Sequence, residues 1–317
     1  MMPVVDGIEI TTEGLTKVFA RVRAVTDLTV RVRPGRVTGF LGPNGAGKTT
    51  TLRMLLGLVA PTQGRALVGG VAYADLPDPT RTVGASLEAT SFHPGRSGRN
   101  HLRVVALAAG LPEGRVDECL ELTGLSGAAH QRVGGYSLGM RQRLGLATTM
   151  LGDPPVLILD EPANGLDPQG IAWLRGFLRH LAASGRTVLV SSHVLAEVEQ
   201  TVVDVVIIAD GRLVRAAPLA ELRRGAATIV RTPTPERLAD ALAGAGLPRP
   251  TPAGTPGAWR VPEVLPERVG HAAYAAGVEV HELYTETDDL EAVFLSLVTG
   301  ASPPAPLVPT DPAPVQP

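Results

Sequence analysis

GPNGAGKTT, residues 42–50, lies between two apolar runs of different type. Residues 37–41 (VTGFL) precede it and are typical of a buried strand, whereas residues 52–58 (LRMLLGL) follow it and are typical of a helix. Glycines at such a junction allow a tight turn whose N–H groups face inward, and the helix N-terminus adds partial positive charge. The pattern predicts a phosphate-binding loop, with a glycine-rich turn and a solvated lysine as the alternative.

Every position of this loop is a candidate contact for a nucleotide. Lys48 would reach the terminal phosphates, and Thr49 would place its hydroxyl on Mg²⁺. The cofactors expected from the loop are therefore a nucleotide and Mg²⁺. The candidates are Gly42, Pro43, Asn44, Gly45, Ala46, Gly47, Lys48, Thr49 and Thr50.

A second apolar run ends in two carboxylates. Residues 156–159 (VLIL) are typical of a buried parallel strand, and Asp160 and Glu161 follow directly. Ligands bind at the carboxyl ends of such strands, so Asp160 is predicted to belong to the Mg²⁺ shell. Glu161 is predicted to orient and deprotonate a water aimed at the γ-phosphate. The alternative is an ordinary capped strand end.

A third motif opens a helix. Residues 136–143 read YSLGMRQR and precede an apolar-periodic stretch from Leu144 to Leu151. Ser137 is a natural N-cap residue. A capping serine near a glycine exposes a hydroxyl and free N–H groups at a positive helix end, which makes a second anion site. Alone, this motif would be an ordinary helix cap.

Together the three motifs resemble those of ABC ATPases, with residues 136–143 as the signature motif. Residues 164–167 (NGLD) resemble the D-loop, and residues 191–193 (SSH) resemble the loop that carries the switch histidine. Phe19 resembles the aromatic residue that stacks on adenine. The motifs follow the family's order along residues 8–222, and the resemblance implies an α/β fold, a P-loop ABC ATPase domain with a helical subdomain.

In that family two nucleotide-binding domains pair head to tail, and each ATP lies between one chain's phosphate loop and the other chain's signature helix. The resemblance therefore implies a homodimer on ATP binding. His193 would hold the γ-phosphate and the attacking water beside Glu161, unless it is a satisfied histidine of the surface or core. Phe19 has a core position as its alternative. The signature and D-loop candidates for the nucleotide site are Ser137, Gly139, Gln142 and Asp167.

The sequence departs from the family pattern at a few positions. Leu138 and Met140 replace a glycine and a glutamine of the signature, and Ala163 stands where threonine is frequent. Glu88 replaces the usual Q-loop glutamine; it keeps an oxygen for the Mg²⁺ shell and adds a negative charge. This residue resembles the acidic loop of lantibiotic-immunity exporters, and the signature resembles that group and the bacitracin- and daunorubicin-type exporters. Neutral variation on an exposed loop is the alternative for Glu88.

Composition restricts the partners. The 317 residues carry a net charge of −2, which gives no footprint for nucleic acid. The one cysteine, Cys119, excludes an internal disulfide and is predicted to be buried filler in a helix. No apolar run approaches the roughly 18 residues that span a bilayer. We therefore expect a separate transmembrane permease subunit, with this chain peripheral at the cytoplasmic face of the cell membrane.

Three segments are expected. Residues 1–225 would form the nucleotide-binding domain, with the helical subdomain at about 88–151. Residues 226–300 would form a small α+β domain like one often appended to drug-export ABC ATPases, closed by a helix at 290–298; its role is regulatory or dimer-supporting, or it is a passive appendage. Proline in residues 301–317 predicts a disordered tail.

The function expected is the ATP-binding and ATP-hydrolysing subunit of an ABC exporter for an antibiotic, a peptide or a hydrophobic drug. One alternative is a soluble, non-transport ABC ATPase in translation or DNA maintenance, although the paired cassettes, insertions or basic surfaces of such proteins are not visible. Another alternative is a non-hydrolysing, nucleotide-gated sensor. The presence of both Glu161 and His193 argues against a sensor.

Overall fold

The computed structural model describes residues 5–87, 92–194, 199–222 and 227–286. The chain divides into two compact units, residues 1–219 and 220–317. Within the described ranges, no helix combines the length and the apolarity that a bilayer crossing requires.

The first unit contains two sheets with helices around them. Strands β2, β1 and β4 form a three-stranded antiparallel sheet. Six strands form the second sheet in the order β5-β6-β7-β3-β8-β9, parallel except for β9. The strands are β1 (Ile10–Phe19), β2 (Val22–Val32), β3 (Val37–Leu41), β4 (Gln63–Val68), β5 (Val83–Ser86), β6 (Val156–Leu159), β7 (Thr187–Ser192), β8 (Asp204–Ala209) and β9 (Arg212–Pro218). The α-helices are α1 (Lys48–Leu55), α2 (Pro79–Thr82), α3 (Gly98–Ala108), α4 (Gly114–Leu122), α5 (Leu138–Thr149) and α6 (Pro168–Ala183), and α7 (Leu219–Leu222) lies at the boundary between the units.

The central strands of the second sheet are buried along their whole length. Every residue of β3, β6 and β7 is buried, as the apolar runs predict. These three strands are neighbours and run parallel. Their carboxyl ends therefore meet at one edge of the sheet, where the phosphate loop, the carboxylates after β6 and the end of β7 come together.

The first strand is longer than its sequence pattern indicates. The apolar alternation predicts a strand at residues 8–12, yet β1 continues to Phe19 and pairs with β2 to its end. The register shifts between Thr12 and Leu15 and again after Leu15. A bulge interrupts the alternation of side chains between the two faces, so the pattern of period two stops before the strand does. The sequence also predicts a helix at 193–201, a range that lies partly outside the described residues.

The second unit is an antiparallel sheet with two helices. Its elements are β10 (Ala227–Arg231), α8 (Pro235–Gly244), β11 (Thr251–Pro252), β12 (Ala258–Pro262), α9 (Pro266–Ala275) and β13 (Glu282–Glu286). The strand order is β11-β12-β10-β13. A β-α-β-β-α-β chain with this order is a ferredoxin-like arrangement, which confirms the predicted α+β class.

Both helices of the second unit bury apolar side chains against its two central strands. Val230 and Val261 from the sheet, Leu238 and Leu242 from α8, and Val269 from α9 share this core. The sequence predicts a strand at 278–284, whereas β13 begins at Glu282 and ends at Glu286. The helix predicted at 290–298 and the tail at 301–317 lie outside the described residues.

Candidate functional site

Two glycines of the loop between β3 and α1 leave no room for a side chain. A Cβ atom on Gly42 would lie 2.4 Å from the carbonyl oxygen of Ile208, and one on Gly47 would lie 2.3 Å from that of Ala24. Gly47 also has a φ of 98°. Gly45 adopts a φ of 82° and has open space beside it. The chain therefore wraps tightly around the start of α1, and no side chain among the described residues caps that helix. Its first N–H groups are available to an anion.

Lys48 is buried inside this loop. Its ammonium group donates hydrogen bonds to the carbonyl oxygens of Gly42, at 2.7 Å, and Pro43, at 3.2 Å. The Oε1 atom of Glu161 lies 3.5 Å from the same nitrogen. Only 6% of the side chain is exposed. The cation of the loop thus already has three oxygen partners.

Thr49 and Asp160 meet at the sheet edge. The Thr49 hydroxyl donates to Oδ2 of Asp160 at 2.7 Å, and the Ser191 hydroxyl donates to Oδ1 of the same carboxylate. A hydroxyl and a carboxylate oxygen in contact are the ligand types that Mg²⁺ prefers. The donor set predicted for the metal therefore includes two oxygen-bearing side chains that lie side by side.

Glu161 and His193 form a second pair at the same edge. Oε2 of Glu161 lies 2.9 Å from Nδ1 of His193, and both side chains are partly exposed. An ionised carboxylate can only accept, so when Glu161 is ionised the Nδ1–H group of His193 donates this hydrogen bond. Glu161 has a φ of 48°, in the left-handed region that non-glycine residues rarely adopt. Its backbone N–H donates to the Ser191 hydroxyl at 2.9 Å.

The site contains Ser191, which the sequence reasoning placed only within a motif and assigned no role. Its position follows from strand pairing, because Leu159 of β6 lies opposite Val190 of β7. The next residues are then Asp160 and Ser191. The available signal was a hydroxyl at the end of a buried strand, two residues before the histidine.

The signature helix begins at Leu138, directly after its cap. Ser137 accepts a hydrogen bond from the N–H of Met140 at 3.2 Å, which confirms it as the N-cap residue. The apolar periodicity starts only at Leu144, because Ser137 and Leu138 are exposed and the rest of the first turn is half-buried. The serine side chain at this helix end is thus accessible from outside the protein.

The signature helix contacts the D-loop of its own chain. Gln142 is buried, and its amide donates to the carbonyl oxygen of Asn164 at 3.4 Å. The structure thus gives Gln142 a partner within the protein. Leu138 covers Gly165, where a Cβ atom would lie 2.5 Å from Cδ2 of the leucine. Asp167 caps α6 by accepting from the N–H of Gly170 at 2.7 Å.

Two further candidates remain, Phe19 and Glu88. Phe19 is at the end of β1, 46% exposed, with the Lys17 ammonium 4.8 Å from its ring centroid. It is therefore not a core residue. Glu88 lies outside the described residues. Strand β5 ends two residues before it, and the Ser86 carbonyl at that end accepts from the N–H of Asp160 at 2.8 Å.

Comparison with known proteins gives two family matches. Residues 25–164 match the family described as ABC transporter. Residues 226–291 match a domain of unknown function, DUF8746.

Several transport proteins are similar to the chain. The bacitracin transport ATP-binding protein BcrA of Bacillus licheniformis is 41% identical over 218 residues, which cover 68% of this chain and 71% of that protein. The lantibiotic transport ATP-binding protein SrtF of Streptococcus pyogenes is 34% identical over 204 residues, 64% of this chain and 87% of that protein.

Solved structures agree with the fold. The ATP-binding subunit of an ABC transporter superposes with a TM-score of 0.62 at 30% identity, over 68% of this chain and 92% of that chain. The predicted α/β fold and the predicted resemblance to the antibiotic exporter group are thereby confirmed. The chain belongs to the family of ABC transporter ATP-binding proteins.

Proposed function

We propose that the chain binds and hydrolyses ATP as the motor subunit of an ABC exporter for an antibiotic, a peptide or a hydrophobic drug. The observation that carries this proposal is the convergence of Lys48, Thr49, Asp160, Glu161 and His193 at one edge of a parallel sheet. The family implies ATP hydrolysis. The names of the similar proteins support export, and none supports the alternative in translation or DNA maintenance.

Nucleotide binding would use the loop that the glycines make. Backbone carbonyls leave no room for a side chain at Gly42 or Gly47, whereas Gly45 has open space beside it. A loop of this kind fits a chain of phosphates held by backbone N–H groups. Lys48 would exchange its carbonyl partners for phosphate oxygens. The exposed ring of Phe19 would stack on adenine.

Thr49 and Asp160 would hold Mg²⁺, with Glu88 as a further proposed ligand. Mg²⁺, when bound, supplies positive charge that offsets the charge on the β- and γ-phosphates. The contact between the Thr49 hydroxyl and the Asp160 carboxylate supports this assignment. Asp160 would also accept hydrogen bonds from water around the site.

Hydrolysis would follow from the pair of Glu161 and His193. The Glu161 carboxylate accepts a proton from a water whose oxygen attacks the γ-phosphorus, and the bond to the β-phosphate oxygen breaks to release ADP. His193 contacts Glu161 through Nδ1. With a proton on both ring nitrogens, it would donate through Nδ1 to Glu161 and through Nε2 to the γ-phosphate, and would so align the base with the phosphate.

A complete site would need two copies of the chain. Ser137 and Gly139 lie at an outward-facing helix end, where the hydroxyl and N–H groups suit the γ-phosphate bound by a second copy. Asp167, in the loop that contacts this helix, would couple the two sites. We therefore infer a head-to-tail homodimer that forms on ATP binding.

Export would require a separate transmembrane permease, with this chain bound peripherally at the cytoplasmic face of the cell membrane. Residues 1–225 would be the motor, and residues 226–300 a regulatory or dimer-supporting domain. Glu88 would tune the coupling to the permease. In a reconstituted complex, Glu88→Gln should then reduce drug export more than ATPase activity, and equal losses in both would reject that role.

The chemistry is tested by Glu161→Gln. This change keeps shape and hydrogen bonding but removes the base, so turnover should fall by about 10²-fold or more while ATP still binds. The variant should accumulate as an ATP-bound dimer in size-exclusion chromatography. The matched control is Glu13→Gln on the remote strand β1. Near-normal steady-state hydrolysis by Glu161→Gln would reject the assigned role.

The two halves of the site are separated by a second pair of variants. Lys48→Ala should abolish ATP binding in calorimetry, because it removes the cation inside the loop. Ser137→Arg should leave binding by the monomer intact but block dimerisation and hydrolysis, because a bulky cation would occupy the partner's phosphate position. Normal hydrolysis by Ser137→Arg would show that the head-to-tail arrangement is wrong.

A further inference from the structure

One buried hydroxyl lies between the two acidic residues of the site. Ser191 is fully buried near the end of β7, and the parallel register with β6 brings it beside Asp160. Its Oγ donates to Oδ1 of Asp160 and accepts from the backbone N–H of Glu161 at 2.9 Å. A single oxygen atom thus contacts the side chain of the predicted metal ligand and the backbone of the predicted base.

The bond to Asp160 fixes the direction of its carboxylate. With Oδ1 engaged by Ser191, Oδ2 points to the Thr49 hydroxyl at 2.7 Å. Rotation of the carboxylate would break both hydrogen bonds at once. A partner behind a metal-binding carboxylate orients it and raises the affinity of the site.

The bond to Glu161 acts on the backbone. Glu161 has a φ of 48°, and a non-glycine residue in that region persists only where its surroundings hold it. The hydrogen bond from the Glu161 N–H to Ser191 stabilises this conformation. The conformation directs the carboxylate of Glu161 toward Lys48 and His193.

Packing alone does not explain a hydroxyl at such a position. Thr38 on the neighbouring strand β3 is 1% exposed, and its hydroxyl has no hydrogen-bond partner among the described residues. The sheet therefore does not need each of its buried hydroxyls to be paired. The hydroxyl of Ser191, by contrast, has two partners, and both belong to the site.

We propose that Ser191 is a positioning residue that sets the affinity for Mg²⁺ through Asp160 and the alignment of the base through Glu161. The inference rests on the proposed ATPase function and goes beyond it, because it assigns both properties to a side chain to which that function gives no direct contact with metal or nucleotide.

The test compares Ser191→Ala, Ser191→Cys and Ser191→Thr with Thr38→Val, a control that removes a buried hydroxyl for which the described residues offer no partner. Mn²⁺ is the metal probe, titrated by electron paramagnetic resonance in the presence of a non-hydrolysable ATP analogue. Ser191→Ala should weaken Mn²⁺ binding about tenfold, the lower end of the loss seen when a partner of a metal ligand is removed. Calorimetry of the analogue in EDTA should be unchanged, because Lys48 and the loop are intact.

The other variants separate positioning from folding. Cysteine has nearly the size of serine but is a weak donor, so Ser191→Cys should also weaken Mn²⁺ binding even if Ser191→Ala fails to fold. Ser191→Thr keeps the hydroxyl and should bind Mn²⁺ within about threefold of the parent. At saturating Mg²⁺, Ser191→Ala should still turn over about tenfold more slowly, because the backbone of Glu161 has lost its acceptor.

The outcomes distinguish this role from the proposed function. Parental affinity for Mn²⁺ in Ser191→Ala or, where that variant does not fold, in Ser191→Cys would overturn the positioning role while the parent still hydrolyses ATP. Equal losses in Thr38→Val would overturn it as well, because any buried hydroxyl would then suffice. A parent chain that neither hydrolyses ATP nor binds Mn²⁺ with the analogue would overturn the proposed function itself.

Discussion

A fully buried arginine allows a quantitative test of what stabilises the first unit against unfolding. Arg186, just before β7, donates to the Pro154 carbonyl at 3.2 Å and forms an ion pair with Asp153 at 2.6 Å, in the loop between α5 and β6. Asp153 has a φ of 52°. Its carboxylate also lies 3.8 Å from Arg115 of α4, which donates to the carbonyl that ends α5. One carboxylate therefore links the helical segment to the sheet.

Replacing Asp153 by Asn isolates the charge. Asparagine tolerates the left-handed backbone and keeps an acceptor, so the change removes only the ionic part of the contact. A hydrogen bond to a charged group contributes about 1.5–3 kcal/mol, and the carboxylate is partly exposed, so the free energy of unfolding should fall by about 2 kcal/mol. Asp153→Ala removes the acceptor as well as the charge and places alanine at a positive φ, so it should cost about 4 kcal/mol.

Urea unfolding measures these losses if the two units are followed separately. Trp173 is in the first unit and Trp259 in the second, so a Trp259→Phe background makes the fluorescence report on the first unit. The control is Glu13→Gln, which breaks an ion pair with Arg65 whose side chains are 49% and 71% exposed. It should cost less than about 1 kcal/mol. A loss below about 0.5 kcal/mol in Asp153→Asn would refute the dependence of Arg186 on the carboxylate.

Three other outcomes follow from single positions. Gly47→Ala should abolish ATP binding in calorimetry, because its Cβ would clash with the Ala24 carbonyl, whereas Gly35→Ala, with a φ of 70° and open space around it, should still bind. Burial raises the pKa of the Cys119 thiol to about 11, so iodoacetamide at about pH 8 should modify the native chain far more slowly than the urea-unfolded chain. Burial, together with the charge of Arg96, lowers the pKa of His101 below its ordinary 6.5. The unfolded state therefore binds the proton more readily, and the free energy of unfolding should fall as pH drops from 6.5 through the lower folded pKa. His101→Gln should flatten the dependence of the urea midpoint on pH over this range. An unchanged slope in that variant would contradict the assignment.

The central sheet and most of its site are predictable because the functional residues directly follow the apolar runs that form the strands. Asp160 and Glu161 follow a run that is apolar on both faces, a pattern typical of a buried parallel strand. Lys48 and Thr49 are fixed by the loop that precedes their helix. Local sequence therefore determines which side chains reach the sheet edge.

Contacts that depend on register were not predictable. Ser191 meets Asp160 because of how β6 aligns with β7, and Gln142 meets Asn164 because α5 packs beside the D-loop. Neither alignment has a local signature. In the second unit the helices were predictable from the sequence, but β11 was not. This strand has two residues, one of them Pro252, and is defined by its pairing with β12. A strand that short has no periodicity to detect.

The partners of Lys48 have a consequence for the order of events at the loop. The ammonium group rests on two carbonyls and near the Glu161 carboxylate, so a nucleotide does not meet a bare cation there. In the proposed ATPase, arriving phosphates would draw Lys48 away from Glu161 as they bind it. The same movement would free one carboxylate oxygen of Glu161 to contact water. Binding of the substrate and release of the base would then be a single event.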